Sequence, residues 1–293
     1  MYNMYRRNVF WGFVRKYGAK LFLSVYRRAE EKSTIIIILR ASENIRSQIM
    51  PGFLCDLHIH SCLSPCGDGD MTPYNLVNMA KVMGLDILAL TDHNSSLNCP
   101  AAARAARDAG IAFVPGMELT TSEEVHVVCL FPDVDSSLRF SGYVSERLPK
   151  IKNRLDIFGE QLIMDELDGV LGCEENLLST ASFISISEVF SLVSDFGGVC
   201  YPAHIDRPSF SVTANLGSFD ESWGFINAEL SAFAQTDKLT QAHPLLENMR
   251  LLRASDAHFL ENIGSASTEL ELPCASPQAV IDLLKSNYYP PGM

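Results

Sequence analysis

From residue 51 onward, short apolar runs recur along the chain, separated by polar stretches with helical spacing. Seven runs read as strands: residues 53–58, 86–91, 111–115, 125–131, 198–203, 225–230 and 250–254. Several are almost continuously apolar rather than alternating, the pattern of strands covered on both faces. Helices are predicted between them. Residues 73–83 follow Thr72, an N-cap candidate, and begin with Pro73 at the first helical position. Residues 99–109 are rich in alanine and stop at Gly110, a natural C-cap. Residues 187–195 follow Ser185 and end near Gly197 and Gly198. Strand, helix and strand in repetition predict an α/β fold with a parallel sheet or barrel.

One connection breaks this rhythm. More than sixty residues separate Phe131 from Gly198, with a helical signal of their own over residues 144–167. That is too long for an ordinary βα loop. Residues 132–197 therefore read as an inserted helical lid or subdomain. Its Asp165, Glu166, Asp168, Glu174 and Glu175 read as a solvated face.

Charge separates the first fifty residues from the rest. Residues 1–50 hold ten Lys/Arg against three Asp/Glu, and the remainder holds thirteen against thirty-two. Residues 9–26 suit a basic amphipathic helix, of the kind that favours an anionic membrane surface. Charges interrupt it well short of the ~20 apolar residues a membrane span needs. Alternatively, translation begins at Met50. On either account residues 1–50 form a basic N-terminal segment outside the catalytic fold, and residues 51–293 form the catalytic domain. Membrane contact is expected only through that segment.

The whole chain has 293 residues, 47% of them hydrophobic and 20% charged, the composition of a soluble globular protein. Its net charge of -12 argues against stable duplex binding, because such affinity is mostly phosphate neutralisation. The same charge suits carboxylate-rich metal sites, where bound cations reverse the local sign. Of the eight cysteines, Cys55, Cys129 and Cys200 lie inside apolar runs, where free thiols are at home. With no convincing secretory signal, a reducing cytoplasm is the expected compartment.

Chemistry collects where the runs end. The first leads into His58 and His60, which a strand's two-residue period points the same way, so that both can grip one metal ion. The second ends in Asp92-His93-Asn94, the third in Gly116-Met117-Glu118, and the fourth carries His126 near its start. The fifth ends in His204, followed by Asp206 and Arg207, and the seventh in Asp256-Ala257-His258. Only His243 of the seven histidines lies elsewhere. Taken singly, Asp92 reads equally as a helix N-cap, Glu118 as a surface acid and His126 as a satisfied core histidine. Together they have the composition of a metal site on the C-terminal rim of a barrel.

These ordered motifs resemble those of the PHP superfamily (polymerase and histidinol phosphatase domain), and within it the stand-alone phosphoesterases. The stretches that carry the resemblance are Asp56-Leu57-His58-Ile59-His60-Ser61, Leu90-Thr91-Asp92-His93-Asn94, Gly116-Met117-Glu118, His126, Pro202-Ala203-His204 and Ser255-Asp256-Ala257-His258. The resemblance implies a distorted (β/α)7 TIM-like barrel and hydrolysis of phosphoesters. It implies two to three divalent metal ions: zinc, manganese or iron, with magnesium as a further candidate. By the same resemblance His58, His60 and Asp256 hold one ion, and Glu118 bridges it to a second held by His126 and His204. His93 and His258 hold a third, completed by either Cys66 or Asp68. A Cys66 thiolate would favour zinc, and Asp68 would favour manganese, iron or magnesium; Cys62 and Cys66 read equally as plain loop thiols.

Other roles follow from side-chain chemistry. His93 or His258 could instead protonate the leaving oxygen. Arg207 could clamp a phosphate with its planar fork, or be an ordinary ion-paired arginine. Asp56 and Asp92 suit carboxylates that orient ligand imidazoles. The expected substrate is a small phosphorylated metabolite or nucleotide. The alternatives are a nuclease trimming short single strands, for which the lid offers Arg139, Lys150, Lys152 and Arg154, and a non-catalytic metal-binding module. Hydrolysis of C–N bonds fits less well, since that chemistry usually needs a bridging Lys where this chain has Glu118.

Overall fold

The computed structural model describes residues 50–286. The sequence expectations for residues 1–49, including the basic helix over 9–26, fall outside that range. All seven apolar runs contain strands. Three are consecutive and parallel: β1 (Gly52–Asp56), β2 (Ile87–Leu90) and β3 (Ala112–Thr120). The crossovers between them are α1 (Pro73–Val82) and α2 (Cys99–Ala109). Their ends are set by the residues the sequence singles out. The Thr72 hydroxyl accepts the Asn75 N–H, and Gly110 closes α2 at φ +71°, a conformation that favours glycine.

Strand β2 shows why its run is continuously apolar. Ile87 and Ala89 pack on one side with Leu57, Val114 and Leu252. Leu88 and Leu90 pack on the other with Leu76 and Ala80 of α1 and Ala102 and Ala106 of α2. Both faces are covered, so no position favours a polar side chain.

The expectation of an all-parallel sheet is corrected at β4 (His126–Leu130), which runs antiparallel to both β3 and β7 (Val199–Pro202). Residues 121–125 are all that join β3 to β4, whereas a parallel return needs a dozen or more. Strand β3 changes partner as it goes, pairing with β2 up to Pro115 and with β4 from Gly116. A Cβ at position 116 would lie 2.8 Å from the Cys129 carbonyl oxygen, so this exchange requires glycine. The reversal has a functional consequence. His126, the first residue of β4, lies opposite Thr120, the last of β3, and so reaches the rim where the parallel strands end.

Strands β8 (Asn227–Leu230) and β9 (Arg250–Arg253) form a parallel pair. The Ile205 N–H donates to the Glu229 carbonyl on the β7 side. On the other side Ile59 bridges Ala257, next to β1. These contacts complete the distorted, TIM-like barrel. Among the elements without a sequence signal are β10 (Thr268–Glu271), antiparallel to β1, and a C-terminal helix over Pro277–Lys285.

The stretch 132–197 is only partly helical. It contains α3 (Val134–Ser145), the one-turn α4 (Leu155–Phe158), a hairpin of β5 (Leu162–Met164) with β6 (Val170–Cys173), and α5 (Ile186–Asp195). No helix follows the predicted span of 144–167: α3 starts at a cap made by Asp133 and ends ahead of Pro149, and Gly159 interrupts the remainder. Helix α5 carries a complete capping box of Ser185 and Glu188. The hairpin is anchored beside the rim. Leu162 donates its N–H to the Cys62 carbonyl, and the Asn98 side chain bonds the backbones of Leu162 and Met164. Among the described residues, no helix is long and apolar enough to cross a membrane.

Candidate metal centre

Glu118 lies at the middle of the rim, buried within β3. Five imidazoles face its carboxylate. Its Oε1 is 3.2 Å from His58 Nε2, 2.9 Å from His126 Nδ1 and 3.1 Å from His204 Nε2. Its Oε2 is 3.4 Å from His60 Nε2 and 3.0 Å from His93 Nδ1. Asp256 completes the inner group, with Oδ1 3.1 Å from His60 Nε2 and 3.4 Å from His58 Nε2. His58 and His60 share one face, as the strand period expects. The backbone at the rim is strained. Asn94, His204 and Asp256 all have positive φ, a conformation that costs ~1–3 kcal/mol and gathers at functional sites.

Proton bookkeeping shows what the inner group lacks. His58 Nδ1 faces both oxygens of Glu229, at 2.9 and 3.1 Å, so it carries the proton. The Ser64 hydroxyl donates to Asp92 at 2.7 Å and therefore accepts from His60 Nδ1 at 3.0 Å. With both rings neutral, the two Nε2 atoms are lone pairs 3.1 Å apart in a buried site. Nδ1 of His93 and of His126 and Oδ1 of Asp256 are buried too, and their close approaches to Glu118 and His60 lack hydrogen-bond geometry. Lone pairs converging on lone pairs repel unless a cation lies among them, and imidazole with carboxylate is a donor set for divalent transition metals.

The acidities show how unevenly the site holds charge. Burial disfavours a charged His58, but Glu229, Asp256 and Glu118 lift its pKa well above the usual imidazole range. Burial, with His258 and His93 nearby, pushes His60 well below that range. Burial would raise Glu118, yet His126, His58 and His93 hold it well below the carboxylate range. The pocket thus attracts positive charge but cannot take a proton on every ring. Ligand atoms within 4.8 Å of one another form three overlapping sets: His58, His60 and Glu118; His93, Glu118 and His126; His60, His93 and His258.

Farther out, His258 donates Nδ1–H to the Asp256 carbonyl at 2.8 Å and turns Nε2 toward Cys66 Sγ, 3.0 Å away. Burial would raise the Cys66 thiol, but His93 and His258 bring it down to about 7. Asp68 donates its N–H to the His258 carbonyl at 2.9 Å, while its Oδ1 accepts the Asp70 N–H at 2.9 Å. Arg207 is tied to Asp256 Oδ2 at 2.6 Å, with 43% of its side chain exposed.

The supporting carboxylates differ from expectation. Asp92 acts on His60 only through Ser64, and otherwise binds the backbone and hydroxyl of Ser61, each at 2.7 Å. Asp56 touches no imidazole. It accepts the N–H groups of Ser255 and Gly264, which fixes the loop leading to Asp256. The carboxylate that orients His58 is Glu229, for which the sequence reading assigns no role. Its signal was a lone acid inside the sixth apolar run.

The sequence profile described as PHP domain matches residues 56–240, and one described as PHP-associated matches residues 251–288. The chain belongs to the PHP family. Among relatives of this PHP protein, the 5'-3' exoribonuclease Rnm of Escherichia coli is 25% identical over 219 residues, covering 72% of this chain and 73% of the relative. A 3',5'-nucleoside bisphosphate phosphatase of Chromobacterium violaceum is 35% identical over 121 residues, 40% of each chain. In fold the protein resembles the lesion-specific endonuclease PfuEndoQ of Pyrococcus furiosus, with a TM-score of 0.61 and 18% identity. That likeness covers 80% of this chain and 56% of the endonuclease, little more than half its length. This PHP protein is a hydrolase, a metal-dependent phosphoesterase. The His and Glu clusters around Glu118 have the composition that metal dependence requires.

Proposed function

We propose that the clusters around Glu118 hold two to three divalent cations, and that the enzyme hydrolyses the phosphoester of a small phosphorylated metabolite or nucleotide there. The convergence of the His58 and His60 Nε2 atoms on each other and on Glu118 and Asp256 carries this reading. His58, His60 and Asp256 hold one ion. Glu118 would link it to a second, held with His126 and His204, both of which face its Oε1; His93 also groups with Glu118 and His126. His93, His258 and Cys66 hold the third, where a thiolate favours zinc. The other two positions suit zinc, manganese or iron.

Bound divalent cations supply charge neutralisation at the phosphoryl oxygens and activation of water for attack. The chain's own residues supply geometry. Glu229 fixes the tautomer and ring plane of His58, and the Ser64–Asp92 pair does the same for His60. Arg207 steadies Asp256 and, being nearly half exposed, can also receive a substrate phosphate. With His93 and His258 engaged as ligands, neither would be free to protonate the leaving oxygen, and that proton would have to come from water.

A second reading is removal of nucleotides from the end of a single strand. It is favoured by the match to the Escherichia coli relative named as a 5'-3' exoribonuclease, which extends over 72% of this chain. Both readings are tested on the full-length protein by elemental analysis. The same preparation is assayed on phosphomonoesters, phosphodiesters, nucleotides and 5'-phosphorylated single strands, with His58→Ala and Glu118→Ala alongside. Two or three ions per chain, with turnover lost in both variants, supports the centre, and the preferred substrate decides between the readings. Bound metal with no turnover on any ester would overturn the substrate assignment. A folded protein that takes up no metal would overturn the centre itself.

A further inference from the structure

Phe210 sits on the loop that follows His204, and its ring is stacked on His126, with centroids 4.7 Å apart and planes at 18°. Its carbonyl accepts the His126 N–H at 2.9 Å. Its backbone has φ +54°, a left-handed conformation unusual for an aromatic residue. The chain therefore accepts local strain to place this ring against a candidate metal ligand. Yet Phe210 remains 43% exposed. A side chain needed only to wedge His126 would lose less by being covered, whereas one open aromatic face beside the centre can serve a ligand.

The surrounding loop is braced. Ser211 Oγ donates to the Arg207 carbonyl at 2.7 Å, Thr213 Oγ1 donates to the Ile205 carbonyl, and Asp206 accepts the Ser231 N–H at 2.7 Å. Arg207 lies on the same loop, bound to Asp256 and partly exposed. One rigid loop thus offers a cation and a flat apolar face at the rim. A phosphate ester attached to a planar heterocycle matches that pair.

We propose that Phe210 is the specificity-determining residue for a nucleobase, which stacks on its open face while the phosphate meets Arg207 and the centre. This rests on the phosphoesterase reading above and adds that the substrate is a nucleoside phosphate. Stacking on an aromatic side chain is tolerant of base identity, so the selection is for a base rather than for a particular one.

The test compares adenosine 5'-monophosphate with ribose 5-phosphate, which carries a hydroxyl in place of the base, on the full-length, metal-loaded protein. Equilibrium binding is measured beside kcat and KM. The native protein should favour the base-bearing member by about five- to hundredfold, the range for one base–aromatic stack. Phe210→Ala should collapse that ratio, chiefly through KM and binding, and Phe210→Tyr should restore it. A 5'-phosphorylated dinucleotide, run in parallel, shows whether the base belongs to a free nucleotide or to a strand end. If Phe210→Ala weakens both phosphates alike, the ring merely props His126 and the proposal is overturned. Equal handling of both phosphates by the native protein overturns it too, while leaving the phosphoesterase reading intact. Failure to bind or turn over either phosphate would overturn this proposal, and the phosphoesterase reading falls only if every ester of the panel above fails as well.

Discussion

Glu229 holds His58 by both carboxylate oxygens, and the same Oε1 accepts the backbone N–H of His204 at 3.2 Å. One buried acid on β8 thereby positions two candidate ligands from different strands. Carboxylates in this position typically contribute 10–100-fold to metal affinity. Glu229→Ala should weaken metal binding by about that factor, and Glu229→Gln by less, because its amide oxygen can still accept from His58. Metal titration monitored by calorimetry reads both. Native-like affinity in a folded Glu229→Ala protein would remove Glu229 from the centre.

In the proposed centre the outer position belongs to Cys66 rather than Asp68. Cys66 Sγ is 3.0 Å from His258 Nε2, whereas Asp68 is occupied within its own turn. Cys66→Ala should lower the number of ions bound per chain, and Asp68→Ala should leave it as in the native protein. Elemental analysis after dialysis against zinc distinguishes them. The opposite pattern would assign the outer ligand to Asp68.

Much of the fold could be read in the sequence because its physical causes are local. The run around β2 is apolar throughout because helices cover one face and barrel neighbours the other. Thr72, Gly110 and Ser185 mark helix ends because their own geometry satisfies the terminal backbone groups. The reversal of β4 was also available, in the brevity of residues 121–125, but periodicity alone does not report strand direction. The apolar spacing over 144–167 yields no continuous helix because Pro149 and Gly159 interrupt it. Strand β10 was missed because Thr-Glu-Leu-Glu buries only one residue well. At the site, the ligand types and their rim position follow from the motifs. The partnership of Glu229 with His58 does not, because it joins residues 171 positions apart.

Helix α3 tests whether the stretch after β4 belongs to the core. Its Phe140 is fully buried, with ring centroids 5.1 Å from Phe131 and 5.4 Å from Phe196. Phe140→Ala should destabilise the protein by about 3–5 kcal/mol, the range for deleting a buried aromatic ring. Urea unfolding followed by circular dichroism measures it. A loss below about 1 kcal/mol would show that α3 unfolds independently of the barrel.

Acid sensitivity has an identifiable contributor away from the metal centre. Glu123, in the turn between β3 and β4, accepts the Ser185 hydroxyl at 2.7 Å and the Ile186 N–H at 3.0 Å, at the start of α5. Burial alone would raise its pKa, but the bonds to Ser185 and Ile186 hold it below the ordinary value of 4.5. A carboxyl more acidic in the folded than in the unfolded chain stabilises the fold above the unfolded pKa. That contribution disappears as pH falls through the folded one. The stability difference between the native protein and Glu123→Gln should therefore be constant near neutral pH. It should shrink once the pH drops below about 4.5, where the unfolded chain begins to bind the proton first. Urea midpoints of the two proteins, measured at steps from pH 7 to pH 3, give the difference directly and cancel the titrations they share. A difference that grows on acidification would reverse the sign and show that the bonds to α5 do not favour the charged form.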